Sequence, residues 1–118
     1  MKTIIAGTRT IEDYDTVKKA IIDSGFNITM VVSGVCRGVD KLGQRWAKEN
    51  NIPIKKFPAD WKQYSKRAGP IRNKAMAEYA DALIVIWDGF SRGTNNMINN
   101  AKKNNLPIHE VNINGTLV

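Results

Sequence analysis

Short apolar runs alternate with amphipathic stretches along the whole chain. "TIIAG" (3–7), "ITMVVSG" (28–34) and "ALIVIW" (82–87) are compact apolar runs that predict buried strands, with 82–87 as the central one. "IPIKKFP" (52–58), bracketed by proline, predicts a strand nearer an edge, and "PIHEVNI" (107–113) a fifth. Between them, Ile11, Tyr14, Val17, Ile21 and Ile22 recur at helical spacing over 11–25 and stop at Gly25. Val39, Leu42, Trp46 and Ala47 mark a helix over 38–50. A third helix covers 69–80, with Pro70 in its first turn, and a fourth covers 93–105 with Met97, Ile98 and Ala101 inward. "ADWKQYSKRAG" (59–69) fits neither period and reads as a loop or lid. The alternation predicts an α/β fold: one three-layer domain over 1–118, its mostly parallel sheet of about five strands covered by helices on both faces.

Composition narrows the setting. The 118 residues hold one cysteine, Cys36, so no internal disulfide framework exists and a reducing cytoplasm is expected. The start, "MKTIIAGTRT", enters a strand directly without the features of a signal peptide, and no run is long enough to span a membrane. A net charge of +7 admits an acidic partner, nucleic acid included. Its 18 basic residues are scattered over many segments, however, and a small anion needs only a few of them.

Four turns carry the candidate chemistry. In open parallel sheets ligands sit beyond the carboxyl ends of the strands, where glycines admit close approach and helix N-termini offer N–H donors. The first turn, "GTRT", begins at Gly7. Thr8 there can cap or bind an oxyanion and Arg9 can pair with a phosphate; alternatively Thr10 caps the next helix and Arg9 is a surface charge. The second, "SGVCRGVD", has Gly34 and Gly38 around Arg37, a bidentate donor. Asp40 either favours the following helix dipole or holds a ribose hydroxyl or the arginine. "GPIRNKAM" puts Arg72 and Asn73 early in a helix, and a cation there is unfavourable unless an anion lies near. "WDGFSRGTNN" offers Gly89, Ser91, Gly93 and Thr94 around a helix start, with Asp88 as a sugar acceptor or a turn cap. Trp61 and Tyr64 either stack on a base or anchor the lid.

Several chemistries are excluded or unsupported. No Walker A loop and no GxGxxG fingerprint is present. One histidine, His109, and one cysteine far apart make no metal ligand set, and no cofactor is implied.

The series "AGTR", "SGVCRGVD", "PADW", "AGPIRNKAM", "ADALIVIWDG" and "SRGTNNMI" resembles the YspA-like family of the SLOG superfamily, over residues 3–111. That superfamily of Rossmann-like proteins includes the LOG nucleotide phosphoribohydrolases and the Smf/DprA DNA-processing proteins. The resemblance implies a Rossmann-like fold and a pocket for a nucleotide or nucleotide-derived ligand. Dimerisation through a helix face is expected by analogy. Arg72 and Met76 match the arginine and methionine of the LOG arginine-lysine-x-x-methionine segment, and Asn73 replaces the lysine. Gly93 and Thr94 echo the LOG phosphate loop, but its glutamate position falls on Met97. N-glycosidic hydrolysis needs a carboxylate to stabilise the sugar cation or activate water. A sensor or sequestering role therefore leads, with no catalytic residue assigned. A LOG-like glycosidase acting through Asp40 or Asp88 and a DNA-binding protein of the Smf/DprA kind are the alternatives.

Overall fold

A computed structural model describes residues 1–113. The strands are β1 (Lys2–Gly7), β2 (Met30–Ser33), β3 (Ile54–Lys56), β4 (Ala82–Trp87) and β5 (Ile108–Asn112). They form one sheet in the order β3-β2-β1-β4-β5, and every pairing is parallel. This is a Rossmann-like α/β arrangement, with the chain direction of the order reversing between β1 and β4. The middle position belongs to β1, while β4 lies beside it and is buried along its whole length.

Both faces of the sheet are apolar because both are covered. Ile5, Val31, Ile84 and Ile86 pack under α1 (Tyr14–Ser24) and α2 (Val39–Glu49), using Val17, Ile21, Val39 and Ala47. Ile4, Val32, Leu83 and Val85 face the other way, against Met76 and Ala77 of α4 (Ala68–Tyr79) and Met97, Ile98 and Ala101 of α5 (Arg92–Lys103). Each fully buried isoleucine or leucine contributes roughly 1.5–3 kcal/mol, so β4 alone is a major part of the core. Its strand-like alternation sends successive residues to opposite layers.

The element limits differ from the periodicity in instructive places. The first helix starts at Tyr14, not at residue 11, because Asp13 caps it by accepting the Asp15 N–H at 3.0 Å. Ile11 enters the core from the lead-in segment, and Thr10 is not the cap. Residues 61–67 are helical instead of irregular: α3 (Trp61–Tyr64) is followed by a 3-10 turn (Ser65–Arg67) that runs into α4. Asp60 starts this ramp by accepting the Gln63 N–H at 3.2 Å. Among the described residues no helix is long and apolar enough to cross a membrane.

Candidate functional site

The carboxyl ends of β1, β2 and β4 deliver three turns to one side of the molecule, at the point where the sheet order reverses. A cleft of about 300 Å³ opens there. The turn after β1 brings Gly7 and Arg9, the turn after β2 brings Cys36 and Asp40, and the start of α5 brings Ser91, Gly93 and Thr94. From across the cleft come Trp61 and Lys66 of the helical ramp, and Arg72 and Asn73 of α4. A second hollow of about 370 Å³ adjoins it toward β3, lined by Gly34, Arg37, Pro58 and Ala59 as well as shared residues.

Arg72 is built into this site rather than displayed on it. Its Nε donates to Asn73 Oδ1 at 2.9 Å, Nη1 donates to the Gly34 carbonyl, and Nη2 lies 3.7 Å from Cys36 Sγ. Five N–H groups on a guanidinium leave two beyond these three contacts for a ligand. The same arginine sets the orientation of a chain of amides. Because Nε can only donate, Asn73 must present its oxygen to Arg72 and its Nδ2 elsewhere. That Nδ2 donates to the Gly93 carbonyl at 3.2 Å and to Asn96 Oδ1 at 3.0 Å. Asn96 Oδ1 accepts again from Asn100 Nδ2, at 3.1 Å. Asn96 lines the cleft with its oxygen already engaged twice, so its amide donors are what it offers a ligand.

Asp40 sits beneath the turns at 4% exposure, accepting the Cys36 N–H at 3.2 Å. Burial pushes its carboxyl up to about 6, against the opposing pull of that Cys36 N–H, the Arg72 charge, the Gly7 N–H and the Arg9 charge. Among the cleft-lining residues it is the one carboxylate, under the charges of Arg72 and Arg9, while Lys66 and Arg92 line the same cleft. Ser91 caps α5, accepting from the Thr94 N–H at 3.4 Å and the Thr94 hydroxyl at 3.1 Å. The N–H groups of Arg92 and Gly93, in the first turn of that twelve-residue helix, have no residue four back in the helix to bond.

Four of the residues nominated from sequence line neither hollow and serve the frame. Thr8 is buried, and its hydroxyl accepts the Asp88 N–H at 3.1 Å, tying the β1 and β4 turns together. Gly38 has φ of +73°, and a Cβ on it would overlap the Thr8 carbonyl. Asp88 accepts the Phe90 and Ser91 N–H groups at 2.8 and 3.0 Å, shaping its own turn, with Gly89 at φ +87° inside it. Conversely, Lys66, Arg92 and Asn96 join the cleft without having been singled out by the sequence. Tyr64 is not among the lining residues, whereas Trp61 faces both hollows. No group of three His, Cys, Asp or Glu able to hold a metal ion occurs among the described residues.

Known proteins share this architecture. The structure is similar to DNA processing protein A (DprA) from Streptococcus pneumoniae, with a TM-score of 0.73 and 16% identity over 91% of this chain. That likeness is one of fold. The present chain spans about half of DprA, 48% of its length. In sequence it is 32% identical over 117 residues to the Gene 61 protein of Mycobacterium phage D29, covering 91% of this chain and 93% of that protein. Residues 1–64, which hold β1, β2, β3 and the first two cleft turns, match the model of the YspA, cpYpsA-related SLOG family. The chain belongs to that family.

Proposed function

We propose that the protein binds a nucleotide or nucleotide-derived anion in the cleft at the β1–β4 switch point, as a sensor or sequestering module. One observation carries the reading: Arg9, Lys66, Arg72 and Arg92 converge on a concave site that also contains the open N-terminus of α5, with a single buried carboxylate opposing them. Phosphate is the anion such an arrangement favours, bound by the Arg92 and Gly93 N–H groups, the Ser91 hydroxyl, and the two remaining N–H groups of Arg72. Membership of a SLOG family and the Rossmann-like fold support a nucleotide as its carrier.

Glycosidic hydrolysis is the weaker reading. Met97, at the position of the LOG glutamate, is 2% exposed and packed in the core. Asp88 is engaged with its own turn, and Asp40 is held under the backbone by the Cys36 N–H. Single-stranded DNA is the second reading, favoured by the +7 charge and by the DNA-processing role named for the fold's neighbour.

A thermal-shift panel of nucleoside mono- and diphosphates and a short single-stranded DNA, at low salt, tests both. A nucleotide at 100 times its dissociation constant adds about 2.7 kcal/mol, which raises the midpoint by several degrees. A shift with DNA alone, falling steeply with salt, overturns the nucleotide reading.

A further inference from the structure

The two hollows meet. Arg9, Cys36, Trp61 and Arg72 line both, forming a shared waist with two arginines and a half-exposed indole. On one side of it lie the start of α5 and the methionines Met76 and Met97. On the other lie Gly34, Val35 and Arg37 of the β2 turn, with Pro58 and Ala59 following β3. Positive charge thus runs through both hollows: Arg9 and Arg72 in the middle, Lys66 and Arg92 on the α5 side, and Arg37 on the other.

This distribution matches one shape of ligand better than another. At about 300 and 370 Å³, each hollow alone lies at the small end of ligand sites, which run from roughly 300 to 1,000 Å³. A nucleoside monophosphate has its charge at one end, so it uses the α5 side and leaves the β2–β3 hollow and Arg37 idle. A diphosphate esterified at both ends has its charge in the middle and uncharged bulk at each end.

We infer that the ligand is such a two-ended diphosphate ester: a nucleoside diphosphate whose outer phosphate carries a further sugar or nucleoside. Its diphosphate runs from the N-terminus of α5 across the Arg9–Arg72 waist, and the hollow bounded by Arg37, Pro58 and Ala59 is a second subsite for the far half. The inference rests on the nucleotide reading above and adds the second subsite to it.

Calorimetric titration separates the two claims. The probes are AMP and ADP-ribose, with GMP and GDP-mannose as the guanine pair, against wild type, Arg37→Ala and Ala59→Trp. Arg37 is exposed, so its truncation leaves the fold intact, and the bulky tryptophan fills the second hollow. The two-ended member of one pair is expected to bind at least 10-fold tighter than its monophosphate. Each variant is expected to remove that advantage while leaving the monophosphate affinity within about twofold. Equal affinity of the two members, or variants that weaken both alike or neither, overturns the second subsite and leaves the nucleotide reading standing. No binding of any of the four overturns both.

Discussion

Around the turns after β1 and β2 the chain packs tightly on itself, backbone on backbone at Gly7 and Gly38 and side chain on backbone at Gly34. A Cβ on Gly7 would overlap the Ile86 carbonyl, one on Gly38 the Thr8 carbonyl, and one on Gly34 would lie 2.8 Å from Arg72 Nη1. On the α5 wall the opposite holds: a Cβ on Gly93 meets nothing within 4 Å, and Phe90 beside the turn is 80% exposed. Identical residue types thus do different work a few ångströms apart. The glycines of the first wall let the chain approach itself, whereas the space beside Gly93 is open.

Substitution separates these roles most sharply at Gly7. Gly7→Ala forces β1 and β4 apart in the middle of the sheet and is expected to cost about 3–5 kcal/mol, seen as a drop of roughly 10 °C or more in the melting midpoint. A drop of only a degree or two would show that the wall yields.

Asp40, under that same wall, gives a pH signature. Its folded value of about 6 lies above the 3.8 of the unfolded chain, so the folded protein holds the extra proton between those values. This group's contribution to stability is complete below about pH 4 and is lost as pH rises through 6, about 3 kcal/mol in all. Urea midpoints of wild type and Asp40→Asn from pH 4 to 8 check it: the variant lacks the slope and is the more stable above pH 6. A wild-type-minus-variant slope of opposite sign would mean that the Cys36 and Gly7 N–H groups and the Arg72 and Arg9 charges outweigh burial.

Arg72 joins the two walls, and Arg72→Lys keeps its charge while losing the fork. Loss of its contacts to Gly34 and Asn73 is expected to lower stability by about 1–3 kcal/mol. Nucleotide affinity is expected to fall about 10- to 100-fold. Wild-type affinity in a destabilised variant would assign Arg72 to the frame alone. The smallest effect belongs to Gly93→Ala, expected to stabilise α5 by about 0.5–1 kcal/mol while weakening nucleotide binding. Unchanged binding would remove Gly93 from the phosphate site.

The fold was legible wherever period and punctuation agreed. The 82–87 run, the Gly25 stop, and the inward stripe of Met97, Ile98 and Ala101 all lie where the pattern puts them. The ramp at 61–67 was missed although Asp60 and Gln63 stand three apart, the spacing of a capping box. Its short length gives too few turns for a periodic stripe. In the site, the turns themselves were legible, but glycine composition does not distinguish close packing within the chain from an opening toward a ligand. Asn96 was hidden in an asparagine-rich helix that reads as a solvated face. Its role emerges only through Asn73, 23 positions away, and Arg72.

The order in which β1 finds its partners has a consequence for synthesis. Thr3 pairs with Val31 on one side and with Ala82 on the other. Of the five strands the middle one comes first in sequence, yet its second edge has no partner until residues 82–87 have been made. Until then an apolar strand lacks its neighbour, a state prone to association with other chains. The cleft comes later still, because its last wall is residues 91–97. A chain that ends before those residues thus has two of the cleft's turns and lacks the wall that closes it.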